Sequence, residues 1–343
     1  MASERSVEVL RVIVSDYIQN REPVGSKTIA DRHGFGVSSA TIRNDMAILE
    51  DAGLIVAPHT SSGRIPTDKG YRLFVDRFGH LRPLSSAQRR AVESFLEGTT
   101  DLDEVLTRAV RSLSQLTNSV AVAQVPSLAT AIIHHVEFVR LSERRVLTVV
   151  ITDSGRVEQR IGEVAEPVDD ELLTNLRERI SPLLVGTSVG DAAVALRDVS
   201  GLFAEHDAEL VSPIIVNLFE QVLANRQERF IIAGAANLAR TEQDFPSTIL
   251  PVLEAIEEHV VLLRLFGELS QAERSDRVSV RIGREHTQEE FAETAVLGTG
   301  FASDHGRSGL GVIGPTRMDY QHNMAAVRAV ARYLSRALGD EAH

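Results

Sequence analysis

Apolar residues recur at helical spacing through the first quarter of the chain, and the breaks between runs are as telling as the runs. In SVEVLRVIVSDYIQ, Leu10, Ile13, Val14 and Tyr17 stand at i, i+3, i+4 and i+7, which predicts a helix with one buried face. Ser3 or Ser6 is its expected cap, and Pro23 and Gly25 in NREPVGS break it. Ser26 is placed to cap a short helix, KTIADRH, ending at Gly34 as a left-handed C-cap. The run SSATIRNDMAILEDAGLI, residues 38–55, predicts a third helix. Ser38 is a good N-cap, Ile42, Met46 and Leu49 repeat at i, i+4 and i+7, and Gly53 stops it. Leu54, Ile55 and Val56 follow as a strand, PHTSSGRIP turns the chain, and Thr67 caps a further helix, DKGYRLFVDRF. Three helices, a strand, a small loop and a return describe a winged helix-turn-helix.

After Phe78 the pattern changes. LRPLSSAQ reads as a linker, with Ser85 or Ser86 capping a helix toward Phe95, and DLDEVLTRAVRSLSQL follows with Val105, Ala109, Leu113 and Leu116 on one side. SVAVAQV, HHVEFVRL and RVLTVVIT read as strands. In the last, Leu147, Val149 and Ile151 share a face, and DSG at 153–155 turns into RVEQRI as a hairpin. Helices dominate from about 166 to 275, with Ile215, Leu218, Phe219 and Val222 in one stripe and Leu253, Ile256, Val260 and Leu263 in another. FIIAGAANL between them reads as a buried strand. VSVRIG and the segments around LGVIGP return to β structure, and a last helix aligns Val327, Ala331, Leu334 and Leu338. The expected architecture is an α+β multidomain chain. A winged helix occupies 1–80, and a mixed α/β body in two parts occupies 81–165 and 276–343 around a mostly helical insert at 166–275.

Composition narrows the function. At 343 residues, two or three domains are expected. No apolar run approaches the roughly 18 residues that span a bilayer, and MASERSVEVL lacks the basic start and long apolar core of a secretory leader. With no cysteine, disulfides, thiolate metal sites and a cysteine nucleophile are excluded, and a reducing cytoplasm is the expected compartment. A net charge of −12 argues against indiscriminate coating of nucleic acid. The charge is uneven, however. Residues 1–80 hold ten Lys plus Arg and ten Asp plus Glu, so the whole deficit lies in the remainder. A neutral module on an acidic body fits DNA binding at one end.

The third helix offers the candidate reading surface. With Ile42, Met46 and Leu49 inward, the opposite face carries Ala40, Thr41, Asn44, Ala47 and Ile48, with Arg43 at its boundary, behind the two opening serines, Ser38 and Ser39. Asn pairs with adenine, Arg with guanine or phosphate, and small methyl-bearing residues meet thymine methyls. The wing is expected in His59, Thr60, Ser61, Ser62 and Gly63, with Arg64 projecting from a flexible tip toward a phosphate or minor groove. Lys27, Thr28 and Lys69 sit at helix starts, where phosphates also bind. Other signals lead nowhere. Gly309, Gly311 and Gly314 match G-x-G-x-x-G, but the run ends at Pro315 instead of opening a helix. His134 and His135 are adjacent on a strand and point to opposite faces. No catalytic constellation, metal or cofactor is expected.

EPVGSKTIADRHGFGVSSATIRNDMAILEDAGLIVAPHTSSGRIPTDKGYRLFVD resembles the N-terminal signature of the heat-inducible transcription repressor family HrcA. The resemblance continues in VVITDSGRVEQRI, FIIAGAANL and IGPTRMDYQHNMAAVRAVA, covering nearly the whole chain in order. One departure is Ser39, where the family commonly has proline, which presets the first helical position. The resemblance implies a homodimeric repressor with a winged helix, a GAF-like domain and an inserted dimerisation domain. It further implies an inverted-repeat operator of the CIRCE type upstream of chaperone operons, and a chaperonin, GroEL, that assists the active form. A second reading is a regulator that senses a small molecule through the GAF-like domain, with GFASDHGRSGLG as the mouth of its site.

Overall fold

A computed structural model describes residues 3–59, 62–79, 84–96, 101–125, 131–153, 155–196, 199, 202–203, 205–224, 229–245, 247–271, 277–303 and 306–338. At the N-terminus, α1 (Glu4–Asn20) is capped by Ser3, whose hydroxyl accepts the Ser6 N–H at 3.1 Å. Leu10, Ile13 and Val14 are fully buried as expected, and Val9 and Val12 widen the buried face. α2 (Ser26–Arg32) begins at Ser26 and is preceded by Gly25, so Ser26 opens that helix and does not cap it. α3 (Ser39–Asp51) is capped by Ser38 and buries Ile42, Met46 and Leu49, as its spacing predicts. Its fourth buried residue is an anion. Asp45 accepts from Arg5 Nε at 2.7 Å and from the Ser6 hydroxyl at 2.8 Å, tying the start of α1 to the middle of α3. β1 (Ile55–Val56) pairs antiparallel with β2 (Ile65–Pro66), and Thr67 caps α4 (Asp68–Phe78) through the Gly70 N–H at 3.1 Å.

The body follows through α5 (Ser86–Leu96) and α6 (Leu102–Thr117) into β3 (Val120–Val125). Next come β4 (Ile133–Ser142), β5 (Arg145–Thr152), β6 (Val157–Glu163), α7 (Asp170–Leu184), α8 (Val189–Ala195) and α9 (Glu205–Ala224). After these stand β7 (Arg229–Ala233), α10 (Ala235–Arg240), α11 (Leu250–Glu257) and α12 (His259–Gln271). The chain closes with β8 (Ser279–Ile282), β9 (Thr294–Ser303), β10 (Gly306–Pro315) and α13 (Tyr320–Leu338).

Five of these strands form one antiparallel sheet, in the order β7-β3-β10-β9-β8. Alternation along β3 separates its two faces. Ala121, Ala123 and Val125 join α6 and α13 on one side, while Val120 and Val122 join α11 and α12 on the other. The segment FIIAGAANL is an edge strand, only partly buried, and not the enclosed one expected. Its glycine, Gly234, at φ +86, then turns the chain into α10. GFASDHGRSGLG is the β9–β10 hairpin, with Ser303 opposite Gly306 and Gly300 opposite Gly309, so the expected mouth is a paired ladder there. Residues 304 and 305 lie outside the described residues. Gly309, Gly311 and Gly314 all stand within strand β10.

Between β3 and β7 lies a second unit, in which β4, β5 and β6 form a three-stranded antiparallel sheet covered on one face by α7 and α9. Residues 131–222 share this hydrophobic cluster, so the expected boundary at 166 falls inside it, and α11 and α12 belong with the five-stranded sheet. On β5 the buried face is Val146, Thr148, Val150 and Thr152. Leu147, Val149 and Ile151, the set chosen by apolar character, face outward. The other apolar stripe is broken where α11 ends and α12 begins, and Val260 is exposed while Leu262 and Leu265 are buried.

Asp45 provides a test of the winged-helix core. Burial pushes its carboxyl up, but hydrogen bonds from Arg5 and Ser6 outweigh this and hold it below the ordinary 3.8. A depressed value in the fold means stability that is complete above the ordinary value and drains away as pH falls from there through the lower value held in the fold. Asp45→Asn is therefore expected to melt earlier at neutral pH, with the gap from the unaltered chain closing below about pH 4. A gap independent of pH in thermal melts followed by circular dichroism would show that charge is not what Asp45 contributes.

Candidate nucleic-acid interface

α3 presents its polar side outward because Ile42, Asp45, Met46 and Leu49 hold the other side against α1. Ala40, Arg43, Asn44 and Ala47 are all exposed along one stripe, with Thr41 and Ser39 half-buried at its beginning. Ile48 extends the stripe and is 46% exposed. Ser38 closes the first turn. Its hydroxyl accepts the Thr41 N–H at 3.2 Å and lies 3.0 Å from the Thr41 hydroxyl, so both side chains serve the cap. Small residues flanking Arg43 and Asn44 allow the helix to approach a groove floor closely. Among the described residues Arg43 and Lys27 form no ion pair, which leaves both available to an anionic partner. Lys27 is exposed in the first turn of α2, and Thr28 beside it is half-buried.

The wing is organised differently from the expectation. Gly63 and Arg64 are its root and not its tip. Val24 and Arg64 exchange both backbone hydrogen bonds at 2.9 Å, and a Cβ on Gly63 would come within 2.6 Å of the Pro23 and Val24 backbone. Glycine is required there for close approach, not for flexibility. The Arg64 side chain does not project. It donates from Nε to Glu50 at 3.0 Å and from Nη1 to the Ser62 carbonyl at 3.2 Å, fastening the wing to the last turn of α3. This pairing also sets a cation against a carboxylate beside the reading face, where like charge would repel phosphate. Ser62 closes the turn, accepting the His59 N–H at 3.0 Å and donating to the His59 carbonyl at 2.7 Å. His59 is exposed, and Thr60 and Ser61 lie outside the described residues.

Lys69 is likewise redirected. Its Nζ donates to the Ala52 carbonyl at 2.9 Å, satisfying an orphan acceptor at the C-terminal end of α3. Sequence periodicity brings together the exposed stripe of α3 but misses what holds it. Arg5, Asp45, Glu50, Arg64 and Lys69 form a polar frame whose partners lie 14 to 40 residues apart in the chain. The apolar spacing that identified α3 carries no such signal, although a lone Asp on its inward side was a clue. Among the described residues no group of three or more His, Cys, Asp or Glu is arranged to hold a metal. No helix of the described residues is long and apolar enough to cross a membrane.

Comparison with known proteins adds an independent line. Residues 1–77 match the family model "Winged helix-turn-helix transcription repressor, HrcA DNA-binding", and residues 103–324 match "HrcA protein C terminal domain". The chain is 59% identical over 339 residues to the heat-inducible transcription repressor HrcA of Clavibacter michiganensis, covering 98% of this chain and 99% of that one. It is 56% identical over 343 residues to the repressor of the same name from Leifsonia xyli, covering 99% and 100%. Among solved structures, the crystal structure of a hypothetical protein superposes with a TM-score of 0.72 at 25% identity, covering 98% of each chain.

Arg43→Ala and Asn44→Ala are each expected to weaken binding to a selected duplex by about 1–3 kcal/mol and to relax the preference at one base position. Fluorescence anisotropy against a panel of single-base variants measures this. Unchanged affinity in both variants would mean that another face of α3 does the reading.

Proposed function

The chain belongs to the HrcA family of heat-inducible transcription repressors, and from that premise we propose that it binds a CIRCE-type inverted-repeat operator upstream of chaperone operons as a homodimer, assisted by the chaperonin GroEL. That it is a DNA-binding repressor follows from the family. The observation that carries the finer reading is the exposed stripe of Ala40, Arg43, Asn44 and Ala47 on a helix braced from behind and at both ends. The proposed mechanism is occupancy. One α3 enters each half-site's major groove, the turn His59–Ser62 tracks the flanking backbone, and the bound dimer blocks initiation in the cytoplasm. When unfolded clients engage the chaperonin, the repressor loses its assistance and leaves the operator.

A two-fold operator needs a two-fold protein. The second unit offers a surface suited to that use. The outer face of its three-stranded sheet carries Val139 (41% exposed), Leu141 (48%), Val157 (50%) and Ile161 (47%), and Leu147, Val149 and Ile151 line the strand between. Val139, Leu147 and Ile161 are directly opposite one another across the three strands. Glu137 and Gln159 stand on the same face, either side of Val149, and the exposed apolar residues around them are costly to leave in water and suited to packing against a copy of the same face. Residues 131–224 are thus the proposed dimerisation insert, and the five-stranded sheet with its two helical layers is the proposed GAF-like domain.

Two measurements test the reading. Fragments of the source genome recovered on the purified protein, with and without chaperonin, are expected to share an inverted repeat next to chaperone genes, with higher yield when chaperonin is present. Random recovery in both conditions would overturn the repressor target proposed here. The double substitution Val139→Glu, Ile161→Glu is expected to shift the protein to monomer in sedimentation and to abolish its preference for the inverted repeat over one half-site. A variant that remains dimeric would place the interface elsewhere.

A further inference from the structure

Among the described residues polar bonds fasten the winged helix to the body, none of them on the reading face; besides a bond from the Arg284 N–H to Asp68 at 3.3 Å, three places stand out. The first centres on Asp244, whose side chain is only 3% exposed. Arg317, just before α13, donates to it in parallel, Nε to Oδ1 at 2.6 Å and Nη2 to Oδ2 at 2.9 Å, and its Nη1 bonds the Ile18 carbonyl of α1. Arg21, the residue that ends α1 in a left-handed conformation at φ 60, donates to the same carboxylate from Nη2 at 3.0 Å. A body carboxylate is therefore gripped by one guanidinium from each unit. The last turn of α1 has no basic residue of its own, and the body supplies one to its free carbonyl end.

The second place lies four residues along. Gln321 Nε2 donates at 2.6 Å to the carbonyl of Phe78, the last residue of α4. The third is on the middle of α4, where Arg72 forks onto Glu285 at 2.7 and 2.5 Å and also reaches the Val280 carbonyl of edge strand β8. Two anchors would leave rotation about the line joining them. The second and third both lie on α4, at Phe78 and Arg72, while the first lies on α1, so together they restrict that rotation. With Tyr71 and Tyr320 in ring contact between the anchors, at 5.7 Å between centroids, the winged helix has one orientation on the body.

We infer that the Arg317–Asp244–Arg21 clasp is a positioning element that fixes the separation and phase of the two recognition helices, and so the operator spacing this protein accepts. This rests on the dimeric inverted-repeat reading given above. In a two-fold complex the half-site spacing is a geometric property of the protein, set by whatever fixes each reading head to the dimer core. A buried forked pair suits that task because it tolerates little change of angle. The clasp acts through α3 without touching DNA, so its loss is expected to alter which spacings are bound while leaving the reading of a single half-site intact.

The test uses the full-length dimer and three kinds of duplex: the selected inverted repeat, the same repeat with its spacer changed by about half a helical turn, and a single half-site. The unaltered protein is expected to prefer the natural spacer. Arg317→Ala and Asp244→Asn are expected to lower that preference by about tenfold while half-site affinity stays within about twofold. Arg21→Ala, which removes the bonds of a partly exposed arginine to Asp244 and Gln243, is a milder variant expected to move the ratio in the same direction. Variants that keep the full spacing ratio would overturn the inference. Loss of half-site binding in step with spacing selectivity would also overturn it, because the clasp would then be holding the winged helix folded. Lack of spacing preference in the unaltered protein would instead sink the inverted-repeat reading, and this inference with it.

Discussion

Burial of α13 beneath both the winged helix and the five-stranded sheet is the constraint on which the rest of the molecule hangs. Tyr320 at its start is almost wholly enclosed, and Val327, Val330 and Leu334 continue the contact toward β9. One hydrophobic cluster runs without interruption from Leu10 in α1 to Leu334 in α13. Such a core cannot be opened at one end without exposing apolar surface at about 25 cal/mol per Å2. The Tyr320 hydroxyl donates to the Thr316 carbonyl at 2.6 Å, and burial pushes its pKa well above the ordinary 10, so it remains a neutral donor. The winged helix is thus part of a continuous solid.

The charge pattern takes on a different meaning in this light. A neutral N-terminal module looks poorly equipped for a polyanion when its residues are only counted. In the fold, many of its basic residues are occupied. Arg5 serves Asp45, Arg64 serves Glu50, Lys69 serves the end of α3, and Arg21 and Arg72 face the body. The cationic surface of the winged helix is therefore narrower than the composition allows, and Arg43 stands unpaired on the exposed stripe proposed to read DNA. Specificity from a few contacts on a rigid helix suits a repressor that must ignore most of the chromosome.

Local pattern recovered most of the first unit and less of the second. The caps at Ser3, Ser38 and Thr67 and the inward set Ile42, Met46 and Leu49 were legible because each depends on residues within one or two turns. The exposed stripe of α3 followed from the same periodicity. Arg64 was misplaced because its position depends on Val24, forty residues earlier, and on Glu50 across a turn. The buried face of β5 was misread for another reason. Apolar residues occupy both faces of that strand, and the inward face includes Thr148 and Thr152. Hydrophobicity alone cannot choose a side when the outer one is also apolar. The division of the body was obscured because strands and helices of the second unit are contiguous in sequence with those of the first.

The way that second unit is attached has a consequence for how such a protein is assembled and rearranged. β3 and β7 are neighbours in the sheet, and Val125 stands opposite Arg229 at the point where the chain leaves and returns. Everything between them is topologically the loop of one hairpin, entered and left through adjacent strands about 4.8 Å apart. Genetic excision of the segment and closure by a tight turn would leave every other strand pairing intact. The host sheet and its guest can accordingly diverge at different rates, and a lineage could exchange one inserted unit for another without disturbing the winged helix.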